Sequence, residues 1–331
     1  MRIPADPQKL ARVVELHYEG NPAGVIARTL KLPPRTVSTL ITQLGRHPLG
    51  AIALNLAERS SRLAWHARVR RSLEQLGAPE RKVPRIPRLG RQQFLERYYA
   101  QQQPVVLTKM MGDWRALRRW TLPFLKESFG EVPLKIAHQR TSTEFYDLNV
   151  HAISESMRLG DFVDWISKVK TSNERYLVAN NDGLSSPRLA PLLDDIGFFG
   201  GMMDRKRISG SVYLWLGPGG TITPLHHDTA NILFCQVRGR KRFKLVSPLY
   251  SELLDDVVSY YSPMDLERPD HARYPFARQL KVLEAEVGPG DALLIPAGYW
   301  HHVRSESISL SVSMTNFVFP NDFPDSGSGY G

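Results

Sequence analysis

Residues 223–234 read TPLHHDTANILF, and residues 290–305 read GDALLIPAGYWHHVRS. The first stretch holds a His-x-Asp pair, His226 and Asp228. The second holds His301, 73 residues after Asp228, in an apolar run bounded by Gly and Pro. Two imidazoles and one carboxylate, with the other positions of an ion left open, are the donor set of the facial triad that holds non-haem Fe(II) for oxygen chemistry. In a β-strand, residues i and i+2 share a face, so His226 and Asp228 are expected to reach one ion while His227 points away. Singly, each part is common: His-x-Asp arises by chance, and a lone histidine is often just a satisfied, half-buried imidazole.

The flanks lift the pattern above chance. After His226-x-Asp228 come Gly239-Arg-Lys241-Arg242 and the apolar alternation from Phe243 to Pro248. Before His301 comes Gly288-Pro-Gly-Asp291 and a short apolar run to Pro296. After it, Ser307–Ser313 alternates with the period of a strand.

With these motifs in this order, residues from about 90 to 320 resemble the cupin-type JmjC hydroxylases. These are the branch of 2-oxoglutarate oxygenases that includes the asparaginyl hydroxylase acting on hypoxia-inducible factor. The resemblance implies His226, Asp228 and His301 as ligands of catalytic Fe(II), and 2-oxoglutarate as cosubstrate. It implies Lys241, in GRKRF, as the cation for the distal carboxylate of 2-oxoglutarate, and Thr223 as a hydroxyl that also reaches it. Tyr176, in RYLVANN, matches the family's tyrosine on an earlier strand. Asn231 stands five residues after His226, where the family often has an Asn after six, and Ser313 occupies a last-strand position where some members have Asn. A lysine is a compact point charge suited to one acidic group; the competing reading of Lys241, in the basic run RGRKRFK, is a solvated strand lysine. The implied reaction converts 2-oxoglutarate and O2 to succinate and CO2 while oxidising a C–H bond, most simply on a protein or peptide side chain.

The composition agrees with an ordinary globular chain: 331 residues, 42% hydrophobic and 23% charged. No apolar run approaches the ~20 residues of a membrane span, and MRIPADPQKLARVV lacks the apolar centre of a signal peptide. Cys235 is the single cysteine, so no intrachain disulfide can form. A cytoplasmic, membrane-free protein is expected.

Charge is unevenly spread. Residues 1–90 hold 16 Lys+Arg and 6 Asp+Glu, whereas residues 91–331 hold 27 of each. The whole net charge of +10 thus belongs to the N-terminal part, which points to an acidic partner there, nucleic acid included. Its apolar spacing is helical: Lys9–Tyr18, then Ala23–Leu30, a turn over Lys31–Pro34, and Arg35–Leu44 with Pro34 at its start. Residues 23–44 resemble a DNA-binding helix-turn-helix, with Lys31 at the turn position usually held by Gly. Arg35, Thr36, Ser38 and Thr39 would face a groove. The competing reading makes these helices a packing element or a homodimer contact. Ala51–Leu76 reads as a further basic amphipathic helix.

The expected architecture is therefore mainly β with added helices: a double-stranded β-helix, or cupin-like jelly roll of two facing sheets, plus a small all-α N-terminal region. The divisions are residues 1–80 (basic, helical), 81–90 (Pro-rich basic linker), 91–320 (catalytic domain) and 321–331 (flexible tail). Within the third, helices are expected over Trp120–Phe129, closed by Gly130, and over Ile153–Val169. A DNA-binding regulator with a ligand-sensing cupin domain, and a small-molecule hydroxylase, are the alternative functions.

Overall fold

The computed structural model describes residues 7–18, 21–46, 62–74, 76, 81–179, 184, 186–254 and 260–323. The chain divides into two compact units, Met1–Pro79 and Glu80–Gly331. Among the described residues no helix is long and apolar enough to cross a membrane.

In the first unit, α1 (Pro7–Tyr18), α2 (Ala23–Thr29) and α3 (Pro34–Arg46) enclose a small core of Val13, Leu16, Ile26, Ala27 and Val37. Residues 62–74 are helical, and Leu63, Trp65 and Leu73 on them are exposed. Of the rest of the helix expected over Ala51–Leu76, residues 51–61 and 75 lie outside the described residues, as do residues 324–331 of the expected tail.

Among the described residues the second unit has twelve strands: β1 (Arg85–Ile86), β2 (Val105–Leu107), β3 (Pro133–Ala137), β4 (Ser154–Arg158), β5 (Val212–Gly217), β6 (Ile222–His226), β7 (Ile232–Arg238), β8 (Lys241–Val246), β9 (Val282–Val287), β10 (Ala292–Ile295), β11 (Trp300–Ser305) and β12 (Ser309–Met314). One sheet has the order β1-β2-β10-β7-β12-β5, a second β6-β11-β8-β9, and β3-β4 form a separate pair. Side-chain alternation fixes how the large sheet sits. Phe234, Leu293 and Ile295 turn inward and pack with Phe243, Leu245, Val287 and Val303 of the second sheet. Leu233, Cys235, Val237, Leu294 and Val312 turn outward beneath the helical layer, joining Leu125, Phe162 and Ile166. In β12 the alternation sends Leu310, Val312 and Met314 to the helices and leaves the serines to the interior. There Ser311 donates to Gln236 Oε1 at 2.8 Å, and Ser313 accepts from Trp215 Nε1 at 2.8 Å. The fold is a jelly roll with helices on one face.

Two local expectations are corrected. Ile153–Val169 is not one helix. Ser154–Arg158 pairs antiparallel with Pro133–Ala137 as β4, and the helix begins only at Leu159. Met157 and Leu159 fit a helical period, but the unpaired edge of β3 offers residues 154–158 a ladder, and pairing overrides the period. The helix Leu122–Phe129 ends at Gly130, but with φ −57 rather than a left-handed cap. A Cβ on Gly130 would stand 2.3 Å from Lys126 O, and one on Gly160 would stand 3.2 Å from Gly130 O, where Gly160 N donates to Gly130 O at 2.9 Å. In the 81–90 segment, Arg85–Ile86 runs parallel to β2 as the sheet's edge strand, and Val83 N donates to Glu284 O at 2.9 Å.

Candidate metal centre

β6 and β11 are antiparallel, and their register sets His301 directly opposite His226. Directly paired residues project to the same face, so the two imidazoles meet with centroids 4.0 Å apart. The pairing then slips by one: Thr223 pairs with Val303, so three residues of β6 span two of β11. This bulge, at Pro224, returns Thr223 to the face that carries His226. Asp228 is not on the strand itself but two residues beyond its end, tied back by Gly298 N donating to its carbonyl at 2.8 Å. Its Oδ2 lies 3.9 Å from His226 Nε2 and 3.5 Å from His301 Nε2. His227 faces away, edge-on against Tyr260 and Trp300.

Both imidazoles are held in one tautomer. His226 Nδ1 lies 2.8 Å from Pro224 O, and His301 Nδ1 lies 2.9 Å from Tyr299 O. A carbonyl can only accept, so each Nδ1 carries the hydrogen and each Nε2 keeps a free lone pair. Burial first, and then the neighbouring His226, push the His301 pKa well below the usual imidazole value, which keeps the ring neutral. One ligand atom from each of the three residues lies within 4.8 Å of the others. Two lone pairs and a carboxylate oxygen converging in this way fit a divalent cation, and the carbonyl bonds to Nδ1 are the usual outer support of metal-binding histidines.

These atoms open into a cavity of about 350 Å³ between the two sheets, also lined by Thr223, Lys241 and Ser313 and walled by Trp215, Phe234, Phe243, Ile295 and Val303. Lys241 begins β8, immediately after the turn at Gly239. That glycine has φ +71, and a Cβ there would stand 2.0 Å from Ile308 O. The Lys241 side chain is buried, donates to the Tyr176 hydroxyl, and has its Nζ 5.0 to 5.6 Å from the ring centres of Tyr176, Phe234 and Trp215. Among the described residues no carboxylate pairs with it. Burial, and secondarily Arg140, lower its pKa to about 7. An ammonium so desolvated, without a counter-ion, fits an anion entering the cavity.

The structure brings His226, Asp228, His301, Lys241, Thr223 and Ser313 to one cavity, with Tyr176 behind Lys241. It does not bring Asn231. The Asn231 amide accepts from Gln102 Nε2 and Ala297 N and donates to Asn321 Oδ1, and Asn321 Nδ2 donates to Asn231 O. With that side chain engaged in fastening residue 321 to the barrel, its part at the site is structural.

Sequence reading missed a buried ion pair at the cavity edge. Arg140, with its side chain 0% exposed, donates from Nη1 to Asp147 Oδ1 at 3.0 Å and from Nη2 to Ile222 O at 2.5 Å. Its guanidinium lies over Tyr146 at 4.4 Å and Tyr176 at 5.3 Å. Asp147 lines the cavity. Nothing in HQRTSTEFYDLNVHA, residues 138–152, has a period or motif that marks these two. Trp215 was more accessible, since the alternation of Val212, Leu214 and Leu216 puts Tyr213 and Trp215 on the opposite face. Arg140→Leu is expected to lower unfolding free energy by about 3–5 kcal/mol, the cost of leaving one buried charge unpaired. Urea denaturation reads this, and a change under 1 kcal/mol would show the pair to be solvated.

A family model described as a cupin-like domain matches residues 91–323. The chain is 25% identical over 252 residues to lysine-specific demethylase 8 of Xenopus tropicalis, covering 71% of this chain and 52% of the relative. It is 30% identical over 252 residues to JmjC domain-containing protein D of Dictyostelium discoideum, covering 70% and 55%. It is 25% identical over 262 residues to human tRNA wybutosine-synthesizing protein 5, covering 75% and 82%. The chain thus spans little more than half the length of the first two. Taken with the jelly roll and the His-Asp-His group between its sheets, the matches show that this chain belongs to the cupin-like JmjC family of Fe(II)- and 2-oxoglutarate-type oxygenases.

Proposed function

We propose that the chain is an Fe(II)- and 2-oxoglutarate-dependent hydroxylase of a protein or peptide side chain. His226, Asp228 and His301 are the metal ligands, and Lys241, Thr223 and Tyr176 hold the cosubstrate. The carrying observation is the engagement of both Nδ1 atoms with backbone carbonyls, which leaves two Nε2 atoms and Asp228 Oδ2 facing one point. When bound, iron supplies the activation of O2 that couples oxidative decarboxylation of 2-oxoglutarate to oxidation of a C–H bond.

The chain's own residues supply orientation and a dry site. Pro224 O and Tyr299 O fix the imidazoles, and the Asp228 carboxylate offsets part of the metal's charge. Lys241 meets the remote carboxylate of the cosubstrate, with Tyr176 holding the ammonium in place. Trp215, Phe234, Phe243 and Val303 exclude water from the space between. The Asp228 side chain is 42% exposed, so the site opens to solvent on its side. A side chain still attached to a folded protein can enter there, and the similarity to several lysine-specific demethylases favours a macromolecular substrate.

Succinate formation by anaerobically loaded protein, on adding O2, tests the reaction. Mass spectrometry of proteins incubated with the enzyme tests the substrate class. A gain of one oxygen is expected; release of formaldehyde would make the chain a demethylase, and no iron-dependent succinate with any extract would remove the oxygenase reading.

The Lys241 pKa of about 7 adds a pH dependence. A dicarboxylate binds the protonated ammonium, which is present below pH 7 and lost as pH rises through it. The Kd for 2-oxoglutarate is therefore expected to rise by up to about tenfold per pH unit above 7, as read by titration calorimetry. A flat profile from pH 6 to pH 9 would assign the remote carboxylate to another group.

A further inference from the structure

The first unit lies outside the matched domain, and α1, α2 and α3 carry a surface that oxygenase chemistry does not use. Inside, Val37 and Leu40 of α3 are buried, and Val37 joins the Val13, Leu16, Ile26 and Ala27 core. Between α2 and α3 the chain turns tightly: Lys31 N donates to Arg28 O at 3.3 Å, and Leu32 N donates to Ala27 O at 2.8 Å. Lys31 itself has φ +53. A non-glycine residue pays about 1–2 kcal/mol for that left-handed conformation, so the turn is held by the core closing around it. Pro33 O then accepts from Thr36 N and Val37 N to start α3. This is the helix-turn-helix connection, in which the second helix is offered outward.

What α3 offers is one stripe. Arg35, Ser38 and Thr42 are exposed at i, i+3 and i+7, and Arg28 and Lys31 are exposed at the end of α2 and in the turn. The surrounding charge is matched to a polyanion, since residues 1–79 hold 12 Lys+Arg against 5 Asp+Glu.

We propose that this unit binds double-stranded DNA, with α3 in the major groove. Arg35, Ser38 and Thr42 face base edges, and Arg28 and Lys31 face phosphates. The stripe argues for duplex DNA over other anions. Short hydroxyls beside one guanidinium suit base edges, whereas a purely electrostatic contact with an acidic protein would use a denser row of charge. The B-form major groove, about 12 Å wide, admits a helix, and the narrow major groove of duplex RNA does not.

The test uses the full chain and fluorescence anisotropy with a labelled mixed-sequence DNA duplex of ~20 bp, about two helical turns. Binding in the ~10⁻⁴–10⁻⁶ M range is expected, weakening steeply with salt as counterions are released. Arg35→Glu is expected to weaken it at least tenfold with an unchanged far-UV spectrum and melting temperature. Thr42→Glu, on the same stripe but remote from the turn, should do the same and serves if Arg35→Glu fails to fold. Duplex RNA of equal length should bind at least tenfold more weakly. The proposal is overturned by no duplex binding at low salt, by equal affinity for duplex RNA, or by folded Arg35→Glu and Thr42→Glu proteins that bind as tightly as the parent.

Discussion

Asp228→Ala is expected to abolish iron-dependent succinate formation, a loss beyond the roughly 10–100-fold that follows removal of groups that merely support a metal's ligands. Among the described residues the carboxylate is the one anionic group that joins His226 Nε2 and His301 Nε2, at 3.9 and 3.5 Å. Its backbone tether, Gly298 N to Asp228 O, does not involve the side chain and survives the substitution. The side chain is 42% exposed, so the variant should melt close to the parent temperature without metal. The measurement pairs succinate yield with iron content after desalting. Turnover within tenfold of the parent would take Asp228 out of the ligand set.

Lys241→Met should raise the KM for 2-oxoglutarate by about 100-fold while leaving the metal-free protein no less stable. The two halves follow from one fact. Lys241 is buried among Tyr176, Phe234 and Trp215, and no carboxylate among the described residues pairs with it. Methionine fills similar volume and removes a charge that burial desolvates, so the fold loses little. The cosubstrate, however, then buries its carboxylate without a partner. That costs at least about 3 kcal/mol, or some two orders of magnitude in affinity. Steady-state kinetics over 2-oxoglutarate concentration, beside thermal melts, read both. An unchanged KM would make Lys241 a structural cation.

The sequence reported most clearly where chemistry and period coincide. Residues 226, 228 and 301 carry side chains whose types define a donor set, and the alternation of Ser309–Met314 shows which side of that strand is apolar. It reported less where geometry arises from a partner strand. Thr223 shares a face with His226 only because a bulge at Pro224 adds a residue to β6, and a simple period of two would have separated them. Asp228 reaches the group from beyond the strand end, a position that i, i+2 spacing described correctly in effect but not in cause. Asn231 matched a motif position nearly in register, yet its amide is taken up by Asn321, 90 residues away. Arg140 and Asp147 show the general limit: a buried ion pair in an irregular segment has no period, and its members look like surface residues until the fold closes over them.

The outward turn of Cys235 has a practical consequence. Phe234 faces the cavity and Cys235 the helical layer, so the protein's single thiol is fully buried across β7 from the place where oxygen would be handled. Burial also holds its pKa well above the usual thiol value, leaving almost no thiolate to be oxidised or alkylated. The chain thus contains an internal clock for its own opening. A thiol-reactive dye can label it only when β7 parts from the helices, so labelling speed measures how often the barrel breathes and how firmly each ligand stills it.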